Sequence, residues 1–276
     1  MDHAEHKPVK SPVCWMGGKA KHAGKIVKLF PEHLMYIEPF GGGGHVLCHK
    51  APSQGEVYND LDANLVNFFR VCRDDAEALQ RRLQHVPYSR RQFNEWRALQ
   101  RSERWRDLPD LDRAVIWFAI LRQAFSASLA SGSWGYTTWR HGRAGSWAPD
   151  TMANTVDTLL LPFRDRLRHV QIENLEYDDC IQRYEGPEAL IYADPPYVGT
   201  ENVYAEGGFG EADHRRLAEL LHATPAKVVV SYEEHPLVEE LYKGWRKETF
   251  LAARHSQRTA HGQKKRIAVE VLLMNW

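Results

Sequence analysis

Short apolar strand signals alternate with helical patterns at both ends of this chain, and in the middle the alternation stops; that interruption constrains the fold more than any other feature. Residues 34–38 and 56–60 each read as a short buried strand, followed by helical patterns at 45–50 and 61–83. Strand, helix, strand, helix is the signature of a parallel sheet, because parallel neighbours need a crossover connection rather than a tight turn. From 84 to about 150 the pattern becomes helix-rich, with loops of Gly, Ser and Trp. Strand signals then return at 169–173, 189–193, 227–231 and 267–274, with a helical pattern at 212–222 between them. The expected architecture is an α/β sheet domain assembled from 1–83 and 151–276, with 84–150 as an inserted helical domain. Residues 1–12 are polar and expected to be poorly ordered.

With 276 residues, 43% of them hydrophobic and 26% charged, the chain can bury a sizeable core. Its longest apolar run, 114–121, is far shorter than the ~20 residues of a membrane span, and no leader-like apolar core precedes a cleavage site. A cytoplasmic protein without a membrane partner is expected. Cys14, Cys48, Cys72 and Cys180 show no paired spacing, and the 14 histidines form no HExxH or His/Cys ligand pattern, so neither disulfides nor a metal is implied. Formal net charge is zero, but the signs are separated: residues 81–143 hold 12 Arg, no Lys and 5 acids, whereas 171–219 hold 12 acids and 3 Arg. Six of the nine Trp lie in or just beyond the basic segment. Arginine interleaved with aromatics suits phosphate contacts and base stacking, although a charge run taken alone is equally well a solvated face.

The apolar run Ala189–Ala193 leads directly into Asp194-Pro195-Pro196-Tyr197, which reads as a catalytic loop leaving a buried strand. Such a loop suits methylation of an exocyclic amine. An amine of that kind, as on adenine, has its lone pair delocalised into the ring and needs acceptors more than a base. The Asp194 carboxylate and the Pro195 carbonyl can both accept from one NH2 group and return electron density to its nitrogen. Pro196 stiffens the loop, and Tyr197 offers a face for a base swung out of its stack. Asp and Pro are also common turn residues, so context decides.

Glu38-Pro39-Phe40-Gly41-Gly42-Gly43-Gly44 follows the first strand and precedes a helix, where glycines let the backbone approach a ligand and place helix amides beside it. A pyrophosphate site or a plain tight turn would use such a loop too. Asp60 ends the next strand about 20 residues on, where a carboxylate accepts from a ribose diol or, equally well, caps the following helix. Trp15-Met16-Gly17-Gly18-Lys19 precedes the first strand, and its glycines can turn Lys19 back toward the same cleft or simply make a surface turn.

WMGGK at 15–19, EPFGGGG at 38–44, YND at 58–60 and DPPY at 194–197 stand in one order. In that order and spacing the chain resembles the Dam-like DNA adenine-N6 methyltransferases, the D12 class with alpha motif order, over most of its length. Arg122-Gln123-Ala124-Phe125-Ser126-Ala127 is similar to the family's Arg-x-Gly-Phe-x-Gly stretch, with alanine at both glycine positions, and HGQKKR at 261–266 to its basic loop before the last strand. The resemblance implies a Rossmann-like S-adenosylmethionine-dependent methyltransferase sheet with 84–150 as target-recognition domain. It implies cofactor contacts from Trp15, Lys19, Phe40, Gly41, Gly43, Asp60 and Asp194, and a catalytic role for Asp194, Pro195, Pro196 and Tyr197. With the arginine-rich segment, it points to DNA contacts from Arg122, Phe125, Ser126, Arg140, Lys264 and Lys265.

The reaction so implied is direct transfer of the sulfonium methyl to N6 of an adenine flipped out of double-stranded DNA, by a protein acting as a monomer. N4-cytosine methylation of DNA and N6-adenine methylation of RNA use the same amine logic; Asp at the head of the tetrapeptide and the motif order favour DNA adenine. A catalytically silent DNA-binding module would have no need of Lys19, Asp60 and Asp194 together. A nicotinamide-dependent oxidoreductase would leave DPPY and the Arg/Trp segment unexplained.

Overall fold

A computed structural model describes residues 6–125, 133–136, 148–199, 208–253 and 267–276. The chain divides into two compact units. One, Lys21–Gly41, Pro52–Leu61 and Glu173–Trp276, carries most of the sheet; the other, the chain up to Ala20 with Gly42–Ala51 and Asp62–Ile172, is helical apart from residues 170–172 of an edge strand.

The strands are β1 (Met35–Glu38), β2 (Gly55–Asn59), β3 (Val170–Glu173), β4 (Ala189–Ala193), β5 (Lys227–Glu233), β6 (Arg246–Ala253) and β7 (Ile267–Met274). They form one seven-stranded sheet in the order β3-β2-β1-β4-β5-β7-β6. β1 pairs in parallel with β2 and β4, and β4 with β5, whereas β7 runs antiparallel to both β5 and β6. Every residue of β4 is buried, as a parallel strand covered on both faces requires. The helices of this unit are α1 (Ala23–Val27), α8 (Tyr177–Tyr184), α9 (Glu211–Ala223) and α10 (Pro236–Leu241). Ile37, Ile191, Ala193, Val228 and Val230 form one core with Cys180 and Ile181 of α8 and Leu217 and Leu221 of α9. Tyr36 and Tyr192, on alternate strand positions, meet Phe30 at ring distances of 5.8 and 5.9 Å.

The sequence-based expectation had no counterpart to α1, α8 or α10, and it differs from the structure at two further places. β6 was not foreseen: RKETFLAA is charged over its first half, with Lys247 bonded to Glu234 (2.9 Å) and Glu239 (3.2 Å). An edge strand needs no continuous apolar run, and charges there discourage pairing with another chain. The helical pattern at 61–83 is two helices, α3 (Ala63–Asp74) and α4 (Ala76–Gln84), separated at Asp75 by an extended φ of −147°.

The helical unit also contains α2 (His45–His49), α5 (Arg90–Gln100), α6 (Asp110–Gln123) and α7 (Ala148–Leu167). Its core is aromatic. Phe68 stacks on Phe118 at 4.9 Å, Trp117 tilts against Phe68 at 5.4 Å, and Phe69 meets Phe163 edge-on at 5.0 Å. α6 is buried all round from Ala114 to Leu121, which explains why the longest apolar run in the sequence falls inside a basic segment. Trp105 is also buried, with its Nε1 donating to Asn64 Oδ1 at 2.8 Å. Among the described residues no helix is long and apolar enough to cross a membrane.

Candidate active site

In the sheet unit the strand order turns back between β1 and β4, and an open α/β sheet binds ligands at the carboxyl ends of its strands where the order reverses. Those two strands deliver the two most informative motifs. β1 runs into Pro39-Phe40-Gly41 and β4 into Asp194-Pro195-Pro196-Tyr197, in a register that pairs Ile37 with Ile191. Asp194 is half-buried and Pro195 buried. Phe40 stacks on Tyr177 at 5.3 Å and meets Phe209 edge-on at 5.7 Å, so an aromatic cluster backs the β1 exit. Gly41 tolerates no side chain: an added Cβ would lie 2.2 Å from the Tyr58 ring. Its amide donates to Asn59 O at 2.7 Å.

Asn59, the last residue of β2, is a clamp that the sequence did not flag. Its Nδ2 donates to Pro39 O (2.8 Å) and Leu175 O (3.0 Å), and its Oδ1 accepts from Leu175 N (2.8 Å). Asp60 follows it, half-buried, with its backbone carbonyl accepting from Asn174 at 2.7 Å. The capping role that the sequence equally allowed Asp60 belongs instead to Asp62, whose carboxylate accepts from Asn64 N at 2.9 Å and Leu65 N at 3.2 Å.

Behind Asp194 lies a network of hydroxyls and carboxylates. The Tyr197 hydroxyl is 3.3 Å from Asp194 Oδ1 and 3.2 Å from Ser231 Oγ, and it donates to Glu270 Oε1 on β7. Ser231 on β5 donates to the same Glu270 oxygen at 2.9 Å. Burial first, then the Asp194 and Glu270 carboxylates, hold the Tyr197 phenol well above its ordinary value, so it stays protonated. The Tyr197 ring tilts against Tyr232 at 5.9 Å. Glu270 and Ser231 are absent from the sequence-based candidates; the available signal was a lone acid inside the apolar strand run 267–274.

Within the helical unit a second group of candidates assembles around His45. Gly18 and Gly43 have no room for a side chain because the His45 ring lies 2.8 and 2.7 Å from where each Cβ would stand, and Gly42 is held open by Trp15 at 2.7 Å. WMGGK and the second half of the glycine loop therefore pack on each other. Gly17 has φ 76°, a left-handed turn that brings buried Lys19 back so that its Nζ donates to Gly17 O at 3.3 Å. Burial, then the Lys19 charge, lowers His45 to about 4.

Of the DNA-contact candidates, the Arg122 guanidinium donates to Cys14 Sγ, to Thr155 Oγ1 at 3.0 Å and to Thr151 O at 3.4 Å, all within the helical unit. Phe125 is 57% exposed. Its amide donates to Ser133 O and Gly135 N donates to Gln123 O, while Ala124 bridges Trp134. Beside this bridge, Trp134 and Tyr136 stack at 6.1 Å, with the exposed Arg90 guanidinium 4.8 and 5.6 Å from their ring centres. Ser126, Arg140, Lys264 and Lys265 lie outside the described residues. A surface recess of about 470 Å³ at α9 and α10, lined by Arg215, Ala218, His222 and Leu241, holds none of the candidates.

Residues 15–259 match the family of D12 class N6 adenine-specific DNA methyltransferases. The type II methyltransferase M1.LlaDCHI of Lactococcus lactis subsp. cremoris is 24% identical, over 95% of this chain and 94% of that protein. The DNA adenine methylase of Vibrio cholerae is 21% identical over 91% of each chain. The DNA N-6-adenine-methyltransferase of Escherichia phage P1 is 26% identical over 94% of this chain, which spans only 34% of that longer protein.

Proposed function

The chain belongs to the D12 class of N6 adenine-specific DNA methyltransferases, and from that premise we propose that it binds S-adenosylmethionine at the strand ends of the sheet unit and methylates an adenine swung out of double-stranded DNA. The observation that carries this siting is that DPPY leaves the fully buried β4 beside the exit of β1, at the point where the strand order reverses. The donor set there suits the cofactor. Asp60 follows the last residue of β2, a position at which a carboxylate suits ribose hydroxyls, and Phe40 offers an apolar face. Trp15, Lys19 and Gly43 are assigned to the cofactor by their place in the family's motifs.

S-adenosylmethionine, when bound, supplies an electron-poor methyl on a sulfonium sulfur. The chain's contribution is to hold and polarise the amine. Asp194 and the Pro195 carbonyl accept from the two N6 hydrogens, and Tyr197 gives the extruded base a ring to lie against. Acceptors fixed on a strand end need no reorganisation during transfer, which is where electrostatic catalysis gains most. Extruding the base costs a few kcal/mol, offset by contacts to the DNA backbone, for which 84–150 is the proposed recognition segment. We infer a monomer acting in the cytoplasm.

The test is expression in a strain lacking adenine methylation, followed by modification-sensitive sequencing of its DNA. N6-methyladenine at one defined sequence is the expected result. Methylcytosine, or unmodified DNA from a well-expressed folded protein, would overturn the proposal.

A further inference from the structure

Tyr197 has one hydroxyl proton, for which at least three oxygens compete. Glu270 Oε1 is the nearest, with Ser231 Oγ at 3.2 Å and Asp194 Oδ1 at 3.3 Å. Ser231 is fully buried and Glu270 only 6% exposed, so protein acceptors rather than water set where these protons point. Ser231 also donates to Glu270, at 2.9 Å. Glu270 thus accepts from both hydroxyls, and it lies closer to the Tyr197 oxygen than Asp194 does.

A carboxylate buried in an apolar strand is costly unless its bonds repay it, and Glu270 accepts from the motif tyrosine and from the β5 serine beside it. We propose that Glu270 is a positioning residue that keeps the Tyr197 proton off Asp194, so that the Asp194 carboxylate retains its acceptor strength for the target amine. The inference rests on the catalytic reading of Asp194 given above. Without Glu270, Asp194 becomes the strongest acceptor within reach of the phenol. A hydrogen bond already donated to its oxygen then weakens the pull on N6.

The experiment is a double-mutant cycle on kcat in the full chain, with KM for S-adenosylmethionine and for DNA measured alongside. Glu270→Leu should lower kcat about tenfold, while Glu270→Gln, which keeps an acceptor oxygen, should lose only about threefold, both with KM for S-adenosylmethionine nearly unchanged. In a Tyr197→Phe background, which has no phenolic proton to redirect, each Glu270 change should cost less than about twofold. Thermal melts establish which variants fold, and the Glu270→Gln cycle stands if Glu270→Leu does not. A loss that persists in the Tyr197→Phe background, or no loss in either cycle, overturns the proposal. Two controls separate it from the functional reading: wild type must methylate adenine and Asp194→Ala must not. If either control fails, the functional reading falls and this inference with it; if both hold and the cycle fails, only Glu270 loses its role.

Discussion

Tyr197 and Tyr136 do opposite things with the same side chain. Tyr197 is half-buried just past the end of a central strand, its hydroxyl among Glu270, Ser231 and Asp194 and its ring against Tyr232. Tyr136 is 62% exposed, stacked on Trp134 with Arg90 over both rings. The first arrangement fixes atoms, which is what a polarising site requires, since acceptors that must reorganise lose their advantage. The second presents a cation and a π-face to solvent, which suits contacts to nucleic acid that tolerate many sequences. On the proposed reading, the fixed arrangement is the rigid side of this comparison and the exposed one the adaptable side.

The largest effect should come from the rigid side. Asp194→Ala is expected to reduce methyl transfer by about 10²–10³-fold or more, the usual consequence of deleting a preorganised electrostatic partner, while the melting temperature stays close to wild type. Transfer of labelled methyl to DNA measures it. Wild-type turnover would place the chemistry elsewhere and dissolve the contrast between the tyrosines.

His45 sharpens the comparison from the other side, because the helical unit also has a committed polar group. Its value of about 4 in the folded chain lies below the ordinary 6.5. A lowered folded value means the unfolded chain takes up the proton more readily. The stabilisation is therefore fully present above pH ~6.5 and lost as pH falls toward 4, by about 3 kcal/mol in total. Chemical denaturation of wild type and His45→Gln across that window isolates the histidine. Parallel curves would show that the ring is not desolvated when folded.

Asp60→Ala should weaken S-adenosylmethionine binding by about 1.5–3 kcal/mol, the worth of hydrogen bonds to a charged acceptor, and leave DNA affinity alone. Calorimetry decides; unchanged cofactor affinity would remove Asp60 from the site.

How much of this was legible in the sequence follows from where the information sits. β4 and β7 match their expected spans because a buried strand writes itself as an apolar run with sharp ends, while β6 escaped because an edge strand is free to be charged. DPPY is contiguous and therefore readable. Its supports are not: Ser231 and Glu270 lie 34 and 73 residues beyond Tyr197, and nothing local ties them to it. Asp60 and Asp62 are two residues apart and chemically alike, so only backbone geometry says which one caps α3. The aromatic and arginine counts of 81–143 overstate its surface. Trp105 and Trp117 are core residues, and Arg82, Arg91 and Arg113 pair with Asp112, Glu95 and Asp110.

The smallest expected effects lie on the adaptable side. If the Trp134–Tyr136 stack meets extruded or single-stranded bases, Tyr136→Ala should weaken DNA binding by at most about 1–3 kcal/mol. Arg90→Ala should cost less still. Its signature is in the salt dependence: a guanidinium that neutralises one phosphate contributes about 0.9 to the log–log slope of affinity against salt, so the slope should become shallower by about that amount. Arg91, already paired with Glu95 at 2.9 Å, is the matched control from the same turn of α5, and its removal should move the slope less. S-adenosylmethionine affinity should be untouched by all three changes. Titrations at several salt concentrations supply the slopes. An Arg90→Ala slope equal to wild type would make the cation a brace for the two rings rather than a phosphate contact, and would shift the search for the DNA surface to Lys264 and Lys265.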